Sequence, residues 1–161
     1  MKKELQVIMN AEKIRSDVNR SLLGICFTLF TIIVALNPSL LKDNILLTIE
    51  LTIAIPLLIT SSFAKAKITH TNRTKLWVRY AFYTFILAYS MLINVIGIFL
   101  SIFVNTQVSM IFFGVNIITA LFYSGIYIIE NQRGIFSRFF KDALFIILII
   151  LGGILPALKV Y

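Results

Sequence analysis

Residues 65–104 read KAKITHTNRTKLWVRYAFYTFILAYSMLINVIGIFLSIFV. Lys65, Lys67, Arg73, Lys75 and Arg79 crowd its first part, and nothing charged follows from Tyr80 to Val104. At 1.5 Å rise per residue, about 20 apolar residues cross the ~30 Å hydrocarbon core of a bilayer. The stretch thus reads as a basic connection entering a membrane span that runs from Leu76 to about Val104. Trp77, Tyr80 and Tyr83 form the aromatic belt of an interface, and Arg79 beside them snorkels toward water.

Four further apolar runs flank this one: Ser21–Leu41, Asn44–Ala64, Ser109–Ile129 and Ala143–Leu158. Asn37-Pro38 is expected to end the regular helix of the first run, because proline disfavours helical backbone in the residue before it. Lys42-Asp43 and Asn105–Val108 are short enough to be tight turns between antiparallel spans. The last run would be only ~24 Å long as a helix. Lys141 and Lys159 can snorkel from its two ends, which favours a span over a re-entrant hairpin at Gly152-Gly153-Pro156.

The cations follow the topology. Lys2, Lys3, Lys13, Arg15 and Arg20 precede the first span, the second connection holds the five already named, and Arg133, Arg138 and Lys141 occupy the fourth. The other side has only Lys42 and Lys159. The positive-inside rule then predicts a multi-pass protein of the cell's inner (cytoplasmic) membrane with a cytoplasmic N-terminus.

Composition agrees. Of 161 residues 59% are hydrophobic and 14% charged, with a formal charge of +8, and mean hydropathy is +0.94. A soluble domain so composed would expose too much apolar surface. In a soluble chain the charge would point to nucleic acid. Here basic residues that track topology point to membrane lipids as partners, and direct nucleic-acid binding is disfavoured. Cys26 is the sole cysteine and His70 the sole histidine, so no disulfide within the chain, metal site or cofactor is expected. Residues 1–20 are polar and resemble no cleavable signal, so the first span is expected to be an uncleaved anchor. The sequons at Asn19 and Asn72 fall on the cytoplasmic side and are expected to carry no sugar.

The fold expected is an all-α integral membrane protein, a polytopic helical bundle. Four spans (21–129) make its core and a short fifth follows (143–161). Amphipathic interfacial segments precede each part, at 1–20 and 130–142. In the first, Leu5, Ile8, Ala11, Ile14 and Val18 share a helical face; in the second, Ile135, Phe136, Phe139 and Phe140 do, beside Arg138 and Lys141. Small and polar stripes, such as Ser90, Asn94, Gly97 and Ser101 in the third span, mark helix–helix faces; the fifth run has no comparable stripe.

Glu50 is the one acidic residue inside a run, ~9 Å from its outer end, and Asn116 is ~10 Å deep from the same surface. Asn94 lies nearer the midplane, and the three are expected to meet in the outer half of one bundle. An ionised carboxylate at the bilayer centre costs about 2.5–3.5 kcal/mol, so Glu50 should face protein or a wet cavity. Glu50, Asn94 and Asn116 form the candidate intramembrane site. Lys65, Lys67, Arg73, Lys75, Arg133, Arg138 and Lys141 are the candidate contacts for a partner or anionic lipid.

No paired carboxylates, histidine cluster or phosphate-binding glycine loop points to an enzyme. Short outer turns with basic, amphipathic inner segments point instead to a homo-oligomeric subunit that senses the membrane, or anchors or signals to a cytosolic protein. Size and layout are similar to the small multispan membrane components of bacterial two-gene systems, antiviral defence systems among them. The likeness is one of architecture, with no shared motif. The alternative is a small ion channel or transporter with Glu50 in its polar path.

Overall fold

The computed structural model describes residues 2–36, 38–68, 74–130 and 135–159, of which 2–16, 36, 74, 75, 130 and 135–138 by backbone alone. His70, Asn72, Arg73 and Arg133 lie outside the described residues. Apart from Asn44 and Asn105, everything described is helix or turn: α1 (Lys2–Leu36), α2 (Ser39–Asp43), α3 (Ile45–Ile68), α4 (Thr74–Phe103), α5 (Thr106–Glu130) and α6 (Ile135–Ile149). A π-helical turn (Ile150–Ile154) and α7 (Leu155–Lys159) complete it. Five segments are long and apolar enough to cross a membrane: Asp17–Ala35, Ile45–Ile68, Leu76–Phe103, Thr106–Ile129 and Phe139–Lys159.

Local chemistry sets the helix ends. α1 stops at Leu36, ahead of Pro38. Asn44 leaves helical geometry at φ −116°, ψ 78°. Its side-chain amide donates to the Leu40 carbonyl at 3.3 Å, tying off α2 before α3 begins. Between α4 and α5 the turn is shorter than the sequence implied. The Asn105 side-chain oxygen accepts the Val108 N–H at 2.8 Å, so Thr106–Val108 are already the first turn of a capped helix.

Both amphipathic segments join their spans within one continuous helix. α1 passes from the amphipathic segment into the first span without a break at residue 20, and α6 likewise starts at Ile135 and continues into the last span. The chain also stays helical through Gly152-Gly153, with Ile149 and Leu155 both in right-handed helical geometry, so the hairpin alternative is corrected to a continuous helix. The last span gains length in the same way. Counted from Phe139 it has 21 residues, ~31 Å at helical rise, and matches the hydrocarbon thickness. Lys141 and Asp142 had cut it short in the sequence reading.

Two compact units divide the chain, residues 1–89 and 90–161. In the first, α1 packs antiparallel on α3. Asn19, Cys26 and Ile33 are fully buried at seven-residue intervals along α1. Leu47, Leu51, Ala54, Leu58 and Ser61 are buried along α3 at alternating spacings of four and three, the repeat of a left-handed helix–helix seam. Pro56 lies on an exposed face of α3, away from that seam. In the second unit α5 packs against α6, the π turn and α7.

Candidate functional site

In the first unit a polar cluster closes the α1–α3 seam. The Asn19 side-chain amide donates to Ser62 Oγ at 3.0 Å, and Lys65 Nζ donates to Asn19 Oδ1 at 2.9 Å. The same ammonium lies 5.0 Å from the centre of the Phe85 ring on α4, within the range of a cation–π contact. Ser62 Oγ donates in turn to the Leu58 carbonyl at 3.0 Å. The neighbouring Ser61 Oγ donates to the Ala81 carbonyl of α4 at 2.9 Å. Lys65 is thus a structural cation that draws three helices together near the interface.

This cluster was only partly legible. Lys65 is among the candidate contacts, but Asn19 enters the sequence reading only through its sequon, and Phe85 is not singled out there. The seven-residue recurrence Asn19, Cys26, Ile33 was the available signal, since it places an amide on the seam. Replacing Asn19 by Leu should cost about 1–2 kcal/mol, by removing the two side-chain hydrogen bonds that Asn19 makes with Ser62 and Lys65. Asn19→Asp, which keeps an acceptor for Lys65, should unfold close to the wild-type midpoint in detergent micelles.

Glu50 is buried on the α3 seam at 6% exposure. Asn94 and Asn116 belong to the second unit. The Asn94 side chain is 1% exposed, and its amide donates to the Leu148 carbonyl at 3.2 Å, just before the π turn. Asn116 is half-buried and donates to the Phe112 carbonyl of its own helix at 2.8 Å. Asn94 and Asn116 thus bond to different carbonyls, those of Leu148 and Phe112.

The third-span stripe finds its partners in the fifth span, which offers backbone rather than side chains. Besides Asn94, Ser101 Oγ donates to the Ala157 carbonyl at 3.0 Å, and Ser109 Oγ of α5 donates to the Gly97 carbonyl at 2.7 Å. A π turn widens the helix and disturbs its regular hydrogen-bond ladder, and Pro156 brings no N–H to it. Carbonyls in such a segment need donors from neighbouring helices. The fully buried Phe113 ring lies against both Gly97 and Gly153. Contacts of this kind hold transmembrane helices close.

Of the remaining candidate cations, Lys67 is exposed and Lys141 half-buried. Lys75 and Arg138 stand in the first turns of α4 and α6, with their side chains outside the described residues. Among the described residues no group of three His, Cys, Asp or Glu is placed to share a metal.

The five apolar helices and the absence of strands among the described residues are the pattern of a multi-pass α-helical membrane protein. No family model, curated protein or solved structure matches the chain.

Proposed function

We propose that this chain is a small homo-oligomeric subunit of the cytoplasmic membrane, N-terminus inside, that anchors a cytosolic partner protein or signals to it. The carrying observation is the contrast between its two sets of connections. All of its fifteen Lys and Arg except Lys42 and Lys159 accompany the N-terminus and the α3–α4 and α5–α6 links. The opposite links are the short α2 corner and the Val104-Asn105 step. The longer connections, which offer a partner more surface, lie on the cationic side. The membrane component of a prokaryotic two-gene system, such as an antiviral defence pair, fits this layout.

A second reading, an ion channel or transporter, draws on Glu50, because a carboxylate buried in a span is costly to keep. A ring of Glu50 side chains around a central pore would need that residue on an outer face, and at 6% exposure it is not there. The anchoring reading is therefore preferred.

Orientation is tested first, in a Cys26→Ser background in intact cells. Thr69→Cys and Gln132→Cys are expected to be shielded from a membrane-impermeant maleimide, and Gln107→Cys to be labelled. Function is tested next. Purified protein should leave liposomes tight to K⁺, while a photo-crosslinker at position 69 or 132 captures one soluble protein in cells. A K⁺ conductance that disappears in Glu50→Gln would reverse the choice.

A further inference from the structure

We propose that the groove between the end of α3 and the start of α4 is a binding site for an anionic phospholipid. The groove holds about 620 Å³ and is lined by Lys67 and Arg79 together with Phe63, Leu76, Trp77 and Tyr80. No acidic side chain lines it. Both cations are exposed, and two positive groups beside an otherwise apolar wall match a phosphodiester carrying acyl chains.

Depth agrees with that occupant. Thr60, the deepest lining residue on α3, is seven residues before Lys67, ~10 Å along the helix. A headgroup at Lys67 and Arg79 therefore leaves the floor at the level of the upper acyl chain. The Thr60 hydroxyl is engaged by its own helix, donating to the Pro56 carbonyl at 2.7 Å. Phe63 and Leu76, at 70% and 62% exposure, are apolar surface that a lipid chain covers. The Trp77 and Tyr80 rings meet edge to face with centroids 6.0 Å apart. Their amphipathic rings suit the headgroup level.

This site does not depend on a cytosolic partner. Only its leaflet rests on the orientation proposed above, and binding measured in micelles is independent of orientation. Purified protein in micelles doped equally with phosphatidylglycerol and phosphatidylcholine is examined by native mass spectrometry. The wild type is expected to retain phosphatidylglycerol selectively. K67Q/R79Q is expected to lose that retention by roughly tenfold or more, since each basic residue near an anionic leaflet contributes about a factor of five. K42Q/K159Q, with the same change of charge at the other side, should retain lipid as the wild type does, and millimolar inorganic phosphate should not displace it. Equal retention of the two lipids would overturn the site. So would undiminished retention in K67Q/R79Q with an unchanged melting midpoint, an equal loss in K42Q/K159Q, or displacement by phosphate.

Discussion

Phe113→Ala is expected to lower the stability of the second unit by about 3 kcal/mol, the low end of what such truncations cost in soluble cores. The low end applies because lipid is already apolar, so the loss is mainly packing rather than transfer from water. The ring is fully buried and fills the space that Gly97 on α4 and Gly153 in the π turn leave open. A Cβ added at Gly153 would stand 2.5 Å from Asn94 Oδ1 and 2.6 Å from the Phe113 ring, and one added at Gly97 would overlap that ring outright. Ser109 Oγ, one turn before Phe113, holds the Gly97 carbonyl at 2.7 Å, so the helices have little freedom to part. Gly97→Ala should therefore cost about 1–3 kcal/mol by overpacking. The decisive measurement is the cycle between the two. In Phe113→Ala the void accepts the new methyl group, so the double variant should melt well above the sum of the single losses in detergent micelles. Strict additivity would mean that ring and glycine do not share this space.

What was legible divides along a physical line. Hydropathy, run length and the break at Asn37-Pro38 placed all five spans, because spanning a bilayer constrains composition over about 20 residues at once. Positions that depend on one partner were harder to read. The stripe Ser90, Asn94, Gly97, Ser101 announced a face on α4, and Ser90, Asn94 and Ser101 are indeed buried. Its counterpart in the fifth span could not be seen, since that helix answers with the carbonyls of Leu148 and Ala157, which every residue possesses. Gly152-Gly153-Pro156 supports a hairpin only as the alternative to the favoured span. The same residues instead permit a widened helical turn, in which Gly153 admits a neighbour's side chains. Lys141 and Asp142 made the last span look shorter than the helix that carries it, and α1 runs unbroken through Arg20.

Asn94 offers the sharpest test of the α4–π-turn contact, because Asn94→Asp changes one atom type and almost no volume. The amide of Asn94 is the donor to the Leu148 carbonyl at 3.2 Å. An ionised carboxylate there would bring an acceptor against an acceptor, inside a span, at a residue 1% exposed. The lost hydrogen bond is worth about 1 kcal/mol. A charge near the bilayer centre adds about 2.5–3.5 kcal/mol. Asn94→Asp should therefore cost roughly 3.5–4.5 kcal/mol and lower the thermal midpoint of the protein in neutral micelles. Asn94→Leu removes the donor without adding charge, and should lose less. Asn116→Asp has a different prospect, since Asn116 is half-buried and bonds only within its own helix turn. It should fall well short of the Asn94→Asp loss. Equal losses at the two asparagines would mean that depth in the membrane alone sets the cost, and the π turn would then have no special need of the Asn94 amide.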